Sequence, residues 1–336
     1  MLQAPPVRMA IVLAERYNLS KLKEAIREPS MFTDELRRVP HEKLYARRYE
    51  DGIDVMAEDW DNLIVLDACR YDVFESHNRI EGDLEEVISR GSTSSEFIKR
   101  NFNGRELHDT VYITANPHAD STLDEGVFYR VAKTYGETYP SDNSRYEKRS
   151  PEHVYEYAVD EYGNYDDKRT IVHFMQPHTP YYGTYAKALR RTLYEERRIG
   201  FREWTHAEDY GDAETMFDAL GNAAVEGHIS DEQLRRAYVG NFEAVMEYVE
   251  ALLEHLDGKT VITSDHGELL GEAEELFSPM QYGHGENAYN EGLRRVPWLV
   301  IDAEDRPETT AEEPIGEDEV DEDLVTEQLE ALGYKE

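Results

Sequence analysis

The sequence is short of disulfide partners, of long apolar runs and of positive charge. Its single cysteine, Cys69, can form no intrachain disulfide, so redox chemistry gives no compartment. No window approaches the roughly 18 apolar residues that span a bilayer. The apolar run at residues 9–14 is too short for a signal-peptide core and precedes no small-residue cleavage site, so a cytoplasmic chain is expected. Lys+Arg number 36 against 72 Asp+Glu, a formal net charge of -36. Such a surface repels nucleic acid and anionic lipid, and neither is an expected partner. The basic residues are mostly Arg, and the acidic excess is spread along the chain. That combination suits a halophilic cytoplasm, because the Debye length shrinks to about 3 Å at 1 M salt and self-repulsion is screened.

What is present is enough for a core. The 336 residues are 40% hydrophobic, room for one large α/β domain or two small ones. The organising stretch is 261–268, Val-Ile-Thr-Ser-Asp-His-Gly-Glu, a buried strand ending in Asp265 and His266. Residues 62–67, Asn-Leu-Ile-Val-Leu-Asp, form another apolar strand ending in a carboxylate, Asp67. Residues 282–286, Tyr-Gly-His-Gly-Glu, place His284 between glycines just before the apolar run 296–301. Ligands gather at the carboxyl ends of parallel strands, and three such ends bearing Asp or His can assemble a metal site.

Along the chain, residues 1–58 read as a helical N-terminal extension and 59–302 as the main α/β domain. Residues 86–90 form a strand, and 91–98, Gly-Ser-Thr-Ser-Ser-Glu-Phe-Ile, carry the capping-box signature of a helix start. A hydroxyl at a helix N-terminus also suits an anionic substrate or an alkoxide, so the cluster can be both cap and nucleophile. The strand at 169–175 runs into His178, held in a loop between Pro177 and Pro180. Residues 183–228 read as a lid or insertion. A long amphipathic helix from 231 to about 256, capped by Ser230, crosses over to the Asp265 strand through Gly258, which implies a parallel neighbour. Residues 303–336 read as an acidic linker followed by a docking helix.

Asp67, one hydroxyl from 92–94, Asp265 and His266 suit one divalent ion, with Mn2+, Zn2+, Mg2+ and Ca2+ all open. Such an ion lowers the pKa of a coordinated oxygen and makes it a nucleophile. The chemistry that uses it is attack on a phosphoryl or sulfuryl centre, with His178, His284 and Arg70 available to stabilise the transition state.

These segments, with the Arg-Arg-Val-Pro at 294–297 and the Leu-Glu-Ala-Leu-Gly-Tyr at 329–334, resemble the sulfatase-like branch of the alkaline phosphatase superfamily from about residue 60 onward. The resemblance implies a doubly wound α/β sandwich with a mostly parallel central sheet, and metal-dependent hydrolysis or transfer of phosphate or sulfate esters through a covalent intermediate. By motif it places Asp67, Asp265 and His266 at metal positions, and His178 and His284 against the substrate. The chain departs from formylglycine sulfatases, which carry Cys/Ser-x-Pro-x-Arg at the nucleophile, and Cys69 reads as a small buried residue. Among the hydroxyls Thr93 fits the motif offset best, as nucleophile and metal ligand, then Ser94, then Ser92. Gln176, where a two-metal member has a carboxylate, points to one ion. The expected substrate is a small-molecule, glycan or lipid-headgroup phosphate or sulfate ester. The alternatives are a sulfatase with an unmodified hydroxyl, or a non-catalytic binder of an anionic glycan or phosphometabolite.

Overall fold

The structure, a computed structural model, describes residues 52–135, 149–202, 212–273, 280–288 and 290–317. The chain divides into Met1–Glu50 and Asp51–Glu336, and only the second unit is described. Most of the extension expected at 1–58 lies outside the described residues, as does the docking helix of the C-terminus. Within the extension, Val55–Ala57 is a 3-10 turn capped by Asp54.

Strand β1 (Asn62–Leu66) is buried along its whole length. Alternate side chains of a strand face opposite ways, so β1 feeds two cores. Leu63 and Val65 pack with Phe97, Tyr112, Ile171 and Val261 on one face. Ile64 and Leu66 pack with Phe74, Val172, Phe174 and Ile262 on the other. Burial on both faces is why the strand reads as a continuous apolar run.

After β1 come α1 (Tyr71–His77), β2 (Asp83–Ile88), α2 (Ser94–Asn101), β3 (Leu107–Thr114), α3 (His118–Thr122) and β4 (Phe128–Lys133). Next are α4 (Pro151–Tyr162), β5 (Arg169–Phe174), α5 (Thr184–Arg197), β6 (Ile199–Phe201), β7 (Thr215–Phe217), α6 (Leu220–Val225) and α7 (Asp231–Leu253). The chain continues through β8 (Thr260–Ser264), β9 (Leu269–Ala273), β10 (Met280–Gly283), α8 (Glu291–Arg294), β11 (Arg295–Ile301) and β12 (Gly316–Glu317).

Among the described residues the main sheet has eight strands in the order β12-β4-β3-β5-β1-β8-β11-β2. Pairing is parallel from β12 to β8, and β11 and β2 close the other edge antiparallel. Helices cover both faces, α2 and α3 on one and α1, α4, α5, α6 and α7 on the other. This is the doubly wound α/β architecture expected from the sequence.

Helix α7 begins with a Ser230–Gln233 capping box and buries Leu234, Tyr238, Phe242, Val245, Val249 and Leu252 along one stripe. It leads into β8 through Gly258, whose φ of +86 favours glycine and whose added Cβ would lie 2.5 Å from Asp61 Oδ2. β8 then pairs parallel with β1, as the crossover requires. The insertion at 183–228 is folded onto the domain, with Leu189, Leu193, Phe201, Phe217 and Leu220 in the core.

The acidic segment after residue 302 has exposed side chains, but its backbone is tied to the sheet edge. The Thr310, Glu312 and Ile315 amides donate to the Asp167, His108 and Tyr129 carbonyls, and β12 pairs with β4. Up to residue 317 it is an edge strand with its approach, where a solvated linker was expected. Buried Lys168 holds it through Glu312 at 2.8 Å.

Candidate active site

Asp67 and Asp265 follow directly on β1 and β8. The strands are neighbours with Leu66 opposite Ser264, so both carboxylates leave the sheet side by side, fully buried. Asp265 Oδ1 accepts the Ala68 amide at 3.0 Å and the His266 amide at 2.8 Å. Asp67 Oδ2 accepts Asn116 Nδ2 at 2.7 Å and Ser94 Oγ at 3.2 Å. Ala68 takes a φ of +60. Its carbonyl accepts the Tyr238 hydroxyl from α7 at 2.6 Å, and the same hydroxyl accepts the Arg70 amide at 3.0 Å.

His266 Nδ1 lies 2.7 Å from the Gly267 carbonyl. A carbonyl only accepts, so the proton is on Nδ1 and Nε2 presents its lone pair. That Nε2 is 3.5 Å from both Asp67 Oδ1 and Asp265 Oδ2.

Of the three expected hydroxyls, Thr93, Ser94 and Ser92, the one that joins this group belongs to Ser94. Ser94 Oγ is 3.2 Å from Asp67 Oδ2 and 3.4 Å from His266 Nε2. Thr93 is the N-cap of α2, and its extended backbone turns Oγ1 back to accept the Glu96 amide at 3.3 Å. Ser92 Oγ lies 2.8 Å from both Glu96 Oε2 and the Gly285 carbonyl. Thr93 and Ser92 serve the helix start, and the first helical residue faces the carboxylates.

Arg70 is also redirected. Its guanidinium binds both oxygens of Asp72 at 2.8 and 3.0 Å, Glu272 Oε1 at 2.5 Å and the Glu268 carbonyl at 2.8 Å. Two carboxylates within reach engage its charge, and it braces the turn after β1.

His178 and His284 sit beside the carboxylate group. The ring centroids of His266 and His284 are 4.3 Å apart, and those of His178 and His284 5.2 Å. The His178 amide donates to the Asp67 carbonyl at 3.0 Å. Asn241 of α7 clamps the His178 loop by donating Nδ2 to the Pro177 and His178 carbonyls at 3.0 and 2.9 Å. His178 Nδ1 faces the Thr179 carbonyl at 2.7 Å and His284 Nδ1 faces Glu268 Oε1 at 3.2 Å. His178, Glu268 and His284 form a second group of convergent donors. They open on a cavity of about 230 Å³ that Leu234, Tyr282 and Asn222 also line.

Burial and the neighbouring Asp265 charge push the Asp67 carboxyl well up. Burial opposes charge on Asp265 too, but a proton on the neighbouring His266 or His173 imidazole would hold its carboxyl below the usual range. Burial lowers His178 and His284 to about 4 each, so both are neutral near pH 7. Among the described residues, Asp67 Oδ1, Asp265 Oδ2 and His173 Nε2 are buried without a hydrogen-bond partner. Two adjacent carboxylates in a dry site cannot both ionise cheaply, and unpartnered oxygens and an imidazole lone pair converging there fit a divalent cation.

Sequence reasoning missed His173, Asn116 and Glu268 as members of the site. Asn116 carried a usable signal, a polar residue just past the apolar end of β3. His173 carried little, since an imidazole inside an apolar strand has no ligand spacing around it.

A buried hydroxyl at a helix start, set against carboxylates and imidazoles at the ends of parallel strands, defines a class of enzyme that acts on phosphate or sulfate esters. The sulfatase family model matches residues 107–334, and the chain belongs to the sulfatase family. The match begins after Asp67 and the hydroxyl cluster, which the fold brings to the matched part. No curated protein matches the chain.

Solved structures give distant likenesses. The soluble domain of lipooligosaccharide phosphoethanolamine transferase A from Neisseria meningitidis is 15% identical over 72% of this chain and 76% of that one, TM-score 0.41. The integral membrane form of that transferase is 14% identical over 90% of this chain, TM-score 0.43, and this chain covers 64% of it, less than two thirds of its length. Phosphonate monoester hydrolase of Agrobacterium radiobacter is 13% identical over 72% of this chain and 67% of that one, TM-score 0.43.

Proposed function

We propose that this chain cleaves or transfers phosphate esters with Ser94 as the nucleophile. The observation that carries the reading is the position of Ser94 Oγ, 3.2 Å from Asp67 Oδ2 and 3.4 Å from His266 Nε2. Asp67, Asp265, His266 and Ser94 would hold one divalent ion, which supplies charge to lower the hydroxyl pKa and to polarise the phosphoryl oxygens. A single ion agrees with Gln176, whose Nε2 donates to the Arg149 carbonyl at 3.0 Å.

Ser94 Oγ gives its proton to Asp67 Oδ2 as it bonds to phosphorus, the bond to the leaving oxygen breaks, and that oxygen takes a proton from His178 or His284. Water or an acceptor hydroxyl then attacks phosphorus, giving up its proton as Ser94 Oγ departs and regains one. The N-terminus of α2 places the positive end of a helix dipole at the reacting oxygen. His178 and His284 are neutral without substrate, and a phosphate dianion against them favours their protonated forms. Each then donates to the phosphoryl or leaving oxygen. The cavity beside them accommodates the leaving group of a small-molecule, glycan or lipid-headgroup ester. The acidic surface supports a cytoplasm of concentrated salt as its setting.

The second reading is a sulfate ester on the same hydroxyl. Phosphate is favoured because residues 91–97 lack the Cys/Ser-x-Pro-x-Arg of formylglycine sulfatases. The test is release of nitrophenol from its phosphate, phosphodiester and sulfate esters in molar salt, with chelator and then Mn2+, Zn2+, Mg2+ or Ca2+ restored. Chelator-sensitive phosphate release that disappears in Ser94→Ala is expected. Release from the sulfate alone would reverse the ranking, and phosphate release surviving Ser94→Ala would remove Ser94 from the mechanism. Silence on all three esters favours a non-catalytic binder of anionic glycans or phosphometabolites.

A further inference from the structure

Among the described residues, His173 is a histidine close to the two carboxylates that the reaction above does not use. It lies on β5, the strand beside β1, and is fully buried. Its ring packs among Phe97 and Tyr112, with centroids at 6.5 and 6.2 Å. An apolar side chain would fill that space without desolvating a polar nitrogen.

Its two nitrogens are treated differently. Nδ1 has the Tyr112 hydroxyl at 2.8 Å. Among the described residues Nε2 has no hydrogen-bond partner, and it points at Asp265 Oδ2, which has none either. The separation, 3.6 Å, is too long for a hydrogen bond. It is close to the spacing of two donors that share one ion, since tetrahedral ligands about 2.1 Å from a centre stand about 3.4 Å apart. Asp67, His173 and Asp265 bring one donor atom each to within 4.8 Å of one another.

We propose that His173 Nε2 is a direct ligand of the cation at Asp67 and Asp265, so that the site offers imidazole from both His173 and His266 and prefers Zn2+ to Ca2+. The inference rests on the functional reading above, because it presumes that the ion is bound there. Carboxylates alone suit Ca2+ and Mg2+, whereas imidazole suits zinc and its neighbours. Tyr112 sets the tautomer: its oxygen takes the Nδ1 proton, which leaves the Nε2 lone pair for the metal.

The test uses the full chain stripped by chelator and labelled with 15N-histidine. Zinc is expected to shift the Nε2 resonances of two histidines at the carboxylates, one of them absent in His173→Gln. By titration calorimetry, zinc affinity should fall at least about 10-fold in His173→Gln, with Ca2+ affinity changed less than about threefold. Tyr112→Phe, which keeps the ring volume, should weaken zinc and spare Ca2+. Zinc shifting His266 but not His173 in the wild type overturns the proposal and leaves His173 a core residue, a result that needs no variant to fold. Equal loss of zinc and calcium in both variants overturns it as well. Failure of the wild type to bind either ion removes the functional reading together with the proposal.

Discussion

Ser94 donates to Asp67 at 3.2 Å while its neighbour Thr93 accepts the Glu96 amide. The proposed nucleophile and the helix cap are adjacent hydroxyls. Ser94→Ala should reduce turnover by on the order of 10⁴-fold with little loss of stability. Thr93→Ala should lose about 1 kcal/mol of stability and keep most of its turnover. Single-turnover kinetics and urea melts on the two variants separate the roles, and the reverse pattern would return the nucleophile to Thr93.

Asp67→Asn should stabilise the chelated protein and abolish its response to metal. The substitution removes a charge from a dry pair and keeps an acceptor for Asn116 and Ser94, so a gain of about 1 kcal/mol is expected. Thermal melts with and without Zn2+ or Mn2+ check this. A metal-dependent rise in Tm that persists in Asp67→Asn would place the ion elsewhere.

Acid should unfold the chelated protein early. Burial lowers His178 and His284 to about 4 and His118 to about 3, against about 6.5 in the unfolded chain. Between those values the unfolded state binds more protons, so stability is full above about pH 6.5 and lost as pH falls towards 4. His118→Gln should make the fall of Tm with pH shallower by about one proton's worth. An unchanged slope would mean that His118 does not titrate in this window.

Gly267 accepts His266 Nδ1 through its carbonyl and donates its amide to the Leu293 carbonyl at 2.8 Å. A Cβ there would lie 2.0 Å from the Gly292 carbonyl oxygen, which is backbone and cannot rotate aside. Gly267→Ala should cost about 3 kcal/mol and weaken cation binding through His266. Denaturant midpoints and metal titrations read both effects, and a wild-type midpoint would show that the Gly292 loop yields freely.

The strand ends were legible in the sequence because burial on both faces writes a strand as an apolar run, and a carboxylate ending such a run stands out. Asp67 and Asp265 were placed on that ground. The choice between Thr93 and Ser94 was not legible, since successive residues at a helix start point in different directions and composition does not fix where the first turn begins. Arg70 read as available because only Asp72 of its partners is near in sequence, and Glu268 and Glu272, which complete its bracing, lie about 200 positions away. The acidic segment after 302 read as solvent-borne for a related reason: its hydrogen bonds are made by backbone, which composition does not report.

The position of β1 at the heart of the sheet bears on how the chain is made. Asn62 aligns with Thr170 on one side and with Thr260 on the other, so during synthesis this apolar strand leaves the ribosome long before either partner exists. Pairings between such distant segments form slowly, and an unpaired apolar strand invites association with other chains in the interval. The Asp67 turn waits as well, for the Tyr238 and Asp265 that hold it. A nascent chain halted before residue 260 carries one carboxylate of the site and a sticky edge.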